Sequence, residues 1–198
     1  MQNLDKLQAQ LKTGSEPLIA DGNRLGFSLL DFWQWSVSDI LSNATRGRFA
    51  EFIVATATGI DIKQVRDEWA AYDLETPDGI KIEVKSAAYL QSWYQKVLSK
   101  ISFSIKPAFY WDYETNKPSP VAKRTADVYV FCLLHYNDKQ TVNPLNLDHW
   151  EFYVVATAQL DSQFPNSGSI SLNSLKKLTE EVSYHKLLPE INRQNNAV

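Results

Sequence analysis

The stretch "DGIKIEVKSAAYLQSW", residues 78–93, puts Glu83 and Lys85 two apart in an alternating run. Side chains two apart share one face of a strand, roughly 6.5–7 Å from each other along it. Asp73 lies ten residues before Glu83, across the turn residues Pro77-Asp78-Gly79. A hairpin closed there brings Asp73 toward Glu83. Two converging carboxylates make a hard oxygen site of the kind Mg²⁺ takes, with water and a substrate phosphate completing the shell. A lysine beside them would hold a scissile phosphate or stabilise the attacking water. Together these are the parts of metal-assisted phosphodiester hydrolysis, in which the metal acidifies a water and screens transition-state charge.

E-x-K alone also fits an exposed strand of alternating charge, with Lys81 as its first member. Three features weigh against that. Asp73 precedes Glu83-x-Lys85 across a tight turn. The charged face then stops, because Ala87 and Tyr89 follow in the same parity. Finally, Glu51 sits in a helical stretch where Ala44, Gly47, Val54 and Ala55 share its side. A glutamate on a packed side needs a partner, and Arg48 is one candidate.

The elements that must position these groups are legible by period. "SLLDFWQWSVSDILSNATRGRFAEFIVATATG" is the main helical region, with Ser36 or Ser38 as a cap, a run to about Thr58 and Gly59 as the stop. A break near Asn43 would divide it in two. "EWAAYDLET" and "IKIEVKSAAY" read as a hairpin, "KISFSI" as a third strand, and "WEFYVVATA" as another. "DVYVFCLLH" is apolar on both faces and is expected to be a covered central strand. An N-terminal helix over 3–12, a loop from Thr13 to Gly26, a C-terminal helix over about 171–188 and a fraying tail complete the reading. The expectation is a single domain over 1–198, with its core at about 36–160: an α/β fold with a mixed β-sheet flanked by helices.

The order Glu51, Asp73, Glu83-Val84-Lys85 resembles the PD-(D/E)XK nuclease superfamily, whose members share the restriction-endonuclease-like core. "RGRFAEFIVATATG" followed by "YDLETPDGIKIEVKSA" is similar to its helix, hairpin and catalytic strand. The resemblance covers residues 45–90, and residues 126–157 in general pattern. Tyr72 stands where the family name has proline. The resemblance implies that Asp73 and Glu83 ligate Mg²⁺, or Mn²⁺ in its place, with the Val84 carbonyl as a further ligand. It implies that Lys85 positions the attacking water and that Glu51 reaches the metal through water. Gln91 falls where some members keep a glutamine near the site, although a polar strand-end residue explains it equally.

DNA is the substrate so implied. Residues 91–124 carry six basic and two acidic groups, against a chain net charge of -3, and are rich in aromatics. Lys106, Lys123 and Arg124 are candidate phosphate contacts there, and Arg46 and Arg48 are candidates on the helix. No helix-turn-helix or zinc-finger signature is present. Cutting a duplex would need two sites, hence a homodimer. The alternative is a catalytically inactive nucleic-acid-binding or protein-interaction module on the same fold.

Composition bounds the rest. Charged residues at 22% and hydrophobic ones at 44% describe an ordinary soluble domain. Cys132 is the lone cysteine and lies in an apolar run, as expected of a core residue in a reducing compartment. The charged N-terminus has no apolar leader, and no run reaches the ~18 apolar residues of a membrane span. A cytoplasmic protein is expected.

Overall fold

The computed structural model describes residues 7–68, 70–112 and 117–197. The chain opens with a hairpin of β1 (Pro17–Ala20) and β2 (Asn23–Ser28). Asp21 and Gly22 close it with φ of 49° and 77°, the backbone of a two-residue primed turn. A loop was expected here, yet the Asp-Gly pair is itself the strongest short hairpin signal. Helix α1 (Leu29–Val37) follows directly, begun by a capping box between Ser28 and Asp31. Its start at Leu29 corrects the expected cap at Ser36 or Ser38. Helix α2 (Asn43–Thr58) follows the anticipated break and ends at Gly59, whose φ of 73° makes the left-handed cap.

Then come β3 (Leu74–Glu75), β4 (Lys81–Ala88), β5 (Ser102–Ser104), β6 (Trp111–Asp112) and β7 (Lys117–Pro118). They are followed by β8 (Val128–Leu134), β9 (Trp150–Ala156), α3 (Thr157–Gln163), β10 (Ser169–Ser171), α4 (Leu172–Leu175) and α5 (Leu187–Asn196). The main sheet has the order β3-β4-β8-β9. β4 and β8 run parallel, and the outer pairs are antiparallel. All seven residues of β8 are buried, as an apolar run on both faces requires.

The two faces of this sheet are covered differently. Ile82, Val84, Val130 and Cys132 pack under α2 and α5. Tyr129, Phe131, Leu133 and Tyr153 pack under Phe103, Leu160 and Ile170. "KISFSI" does not join the main sheet: β5 pairs with β10, and Phe103 meets Phe131 edge-on at 5.1 Å. The mixed four-stranded sheet flanked by helices is therefore the α/β architecture expected.

Two terminal expectations are corrected. Residues 7–12 are not helical, and Leu7 and Leu11 are exposed; the first six residues lie outside the described part. The C-terminal helix is α5, not 171–188. Leu187, Ile191 and Gln194 are buried at helical spacing, and the helix runs on through most of the "NRQNNAV" expected to fray. Within 171–188 the helix is broken into the short α4, a 3-10 turn at Tyr184–Lys186 and the start of α5, because Val182 is drawn into a bridge with Phe152. Tertiary pairing wins there over a helical period.

Candidate active site

Helix α2, the stretch before β3, and β4 meet beside the β3 edge of the sheet. The β3–β4 turn forms as expected, with Gly79 at φ 85° and its N–H on the Thr76 carbonyl at 2.8 Å. β3 is only two residues long, so the strand expected over "EWAAYDLET" reduces to its end; Trp69 lies outside the described residues. Asp73 stands just before β3 and donates its N–H to the Ile82 carbonyl at 3.1 Å. Its Oδ2 accepts the Val84 N–H at 2.8 Å. Asp73 is thus stitched to β4 by backbone and side chain, next to Glu83.

Glu83 and Lys85 lie on one face of β4 and are paired to each other. Glu51, on the third turn of α2, is paired with Arg66, whose Nη2 also lies 3.8 Å from Asp73 Oδ1. The expected partner Arg48 is elsewhere: it meets Glu68 at 3.4 Å, with both side chains largely exposed. Spacing in the sequence does not single out Arg66, which sits in an irregular stretch before β3.

Charge couples these groups into one site. Burial pushes the Glu83 carboxyl above the ordinary range, Asp73 adds to that, and Lys85 opposes it. Burial likewise raises Glu51, with Arg66 opposing and Asp73 reinforcing. For Arg66, burial acts to weaken the charged form, but the hydrogen bond and charge of Glu51 more than offset it. Tyr129, beside Glu83 in the parallel register, is raised by burial and then by the charge of Glu83.

The donor chemistry suits a hard cation. The Glu51 and Glu83 carboxyls are raised first by burial and then by the neighbouring Asp73 charge, which a bound cation would offset. Among the described residues no group of three or more His, Cys, Asp or Glu side chains is arranged to hold a metal ion. A site here would have to draw on Asp73 and Glu83 with water, within the one or two carboxylates that Mg²⁺ usually takes. Glu51, Arg66 and Asp73 line one end of a cleft of about 660 Å³, whose other walls include Phe52, Ile62, Val65 and Leu74.

Several expected nucleic-acid contacts are corrected. Arg46 is 2% exposed and donates to the carbonyl of Leu41 at 2.7 Å, Asn43 Oδ1 at 2.9 Å and Gln91 Oε1 at 3.3 Å. A guanidinium spent on internal acceptors cannot reach a phosphate. Arg124 is likewise buried against the Ile105 and Phe164 carbonyls and Asp161. Gln91 is buried between Arg46, the Ala88 carbonyl and Ser99, where it ties the end of β4 to α2. Arg48, Lys106 and Lys123 are exposed or nearly so, with Lys123 over the Tyr110 ring at 5.1 Å.

Residues 29–174, 146 of the 198, match the family model described as bacteriophage T4 endonuclease IV. The chain belongs to that family. The matched span takes in Glu51, Arg66, Asp73, Glu83 and Lys85, and it starts at α1, so the β1–β2 hairpin precedes it. No curated protein matches the chain. Among the described residues no helix is long and apolar enough to cross a membrane.

Proposed function

We propose that this member of the bacteriophage T4 endonuclease IV family is a Mg²⁺-dependent nuclease that hydrolyses DNA phosphodiester bonds with a PD-(D/E)XK-type site. Asp73 and Glu83 are the metal-holding carboxylates, the Val84 carbonyl is a further ligand, and Glu51 acts through water. Mn²⁺ is the natural substitute. A bound divalent ion supplies an acidified water and neutralises charge on the phosphate. Lys85 orients the attacking water and holds the phosphate. Arg48, Lys106 and Lys123 are the exposed cations available to the DNA backbone.

One observation carries this reading. Glu51 from α2, Asp73 from the β3 edge and Glu83-Lys85 from β4 form one charge-coupled cluster in a chain of an endonuclease family. The test is cleavage of plasmid and single-stranded DNA with Mg²⁺ or Mn²⁺, comparing wild type with Lys85→Ala. Metal-dependent cutting that the variant loses is expected. Full activity in Lys85→Ala removes that residue from the mechanism. A wild type that cuts no DNA under any of these conditions sinks the nuclease reading.

A further inference from the structure

The segment from Thr13 to Ser38 is held together by its own contacts. Gly14, at φ 91°, lies against Leu30 and Trp33, where an added Cβ would meet Trp33 at 3.1 Å. The Leu29 and Leu30 N–H groups bond the Glu16 and Gly14 carbonyls at 2.9 and 2.8 Å. With the Asp21-Gly22 turn and the Ser28 capping box, this holds β1, β2 and α1 together as an arm. The arm packs on no element of the core to any appreciable extent.

Its surface is wrong for a lone chain in water. No residue of β1, β2 or α1 is buried, yet Ile19, Leu25, Phe27, Phe32 and Trp35 are all on it, with Phe27 64% and Trp35 84% exposed. A compact monomer of 22.6 kDa would expose roughly 9,500 Å². This chain exposes 13143 Å². The surplus of about 3,600 Å² is more than the roughly 1,000–2,500 Å² that each partner contributes to a permanent interface.

Charge selects the occupant. Residues 13–38 hold Glu16, Asp21 and Asp31 against Arg24, a net of -2. An acidic, apolar arm repels nucleic acid, and it repels a second arm like itself. Residues 39–198 are also net -2, and one stretch of them offers a complement. Trp93, Tyr94, Val97 and Leu98 are exposed beside Lys96 and Lys100, in a stretch over 91–100 without an acidic residue.

We infer that the occupant is a second copy of this chain: each arm embraces the 93–98 segment of the other, in a two-fold dimer. The inference rests on the arm and not on the catalytic reading.

Analytical ultracentrifugation of the full chain at micromolar concentrations tests it. Wild type should sediment as a dimer. Phe27→Glu with Trp35→Glu should raise the dimer dissociation constant by more than about tenfold, as loss of aromatic anchors does. Tyr94→Glu should do the same from the other side. Circular dichroism should be unchanged in all, since each side chain is exposed. A monomeric wild type overturns the proposal, as does a dimer indifferent to the arm substitutions. A dimer broken by the arm variants but indifferent to Tyr94→Glu overturns the assigned seat.

Discussion

Arg66 donates from Nε to the Glu51 carboxylate, joining the stretch before β3 to the third turn of α2. A side chain thereby supplies positive charge where buried acids need it. Its second reach, to Asp73 at 3.8 Å, sets it among the groups that a metal would engage. On the proposed reading, Arg66 and a divalent ion would compete for the same negative charge. Arg66→Gln should tighten Mg²⁺ binding, read by isothermal calorimetry without DNA, by roughly threefold to fivefold, in line with ion pairs of up to about 1 kcal/mol. Weaker binding would show instead that Arg66 organises the acids.

Asp73 has two duties that one substitution separates. Its Oδ2 accepts the Val84 N–H at 2.8 Å, and its charge serves the site. Asn in its place keeps an acceptor and loses the charge. Asp73→Asn should fold with a stability change of about 1 kcal/mol or less. DNA cleavage should fall by roughly 10²–10³-fold, the usual loss when charge stabilisation is removed. Chemical denaturation beside a plasmid assay measures both.

The raised carboxyls predict a pH slope. Glu51 and Glu83 both titrate above the ordinary value of 4.5. Just above that value the folded chain keeps protons that the unfolded chain has released. Unfolding free energy therefore falls as pH rises through this window, from the two groups taken alone. Glu83→Gln should flatten the slope seen in urea melts between acid and neutral pH, in the absence of divalent ions. A slope as steep in the variant as in wild type would mean that Glu83 is not a source of it.

Arg46 and Arg48 should part company. Arg46 is buried with three internal acceptors, and Arg48 lies on the surface. Arg46→Ala should cost about 2–4 kcal/mol, since it opens a cavity and strands buried acceptors. Arg48→Ala should stay within about 0.5 kcal/mol and weaken DNA binding, more so at low salt. Urea melts and filter binding at two salt concentrations decide between these outcomes.

The sequence by itself determined β4, β8 and β9 and the order of the acids. Alternation in "IKIEVKS", the Asp78-Gly79 turn and the all-apolar "DVYVFCLL" are local properties, and β4 and β8 formed where those patterns lie. Gly59 marked the end of α2 for the same reason, because only the left-handed backbone is needed there. The β1–β2 hairpin and α5 were also written locally, in Asp21-Gly22 and in the Leu187–Ile191 spacing, but short or polar surroundings masked them.

Only the tertiary structure decided which charges meet. Arg66 reached Glu51 and Arg48 did not, because a pairing across fifteen residues of irregular chain depends on how that chain is laid over α2. Arg46 and Arg124 look in the sequence like any surface cation. Their burial follows from carbonyls that become available only once loops fold around them. Strand pairing is just as non-local: "KISFSI" has the period of a sheet strand, and its partner is β10, more than sixty residues away. Period and turn chemistry act over a few residues, whereas ion pairs and burial depend on the whole fold.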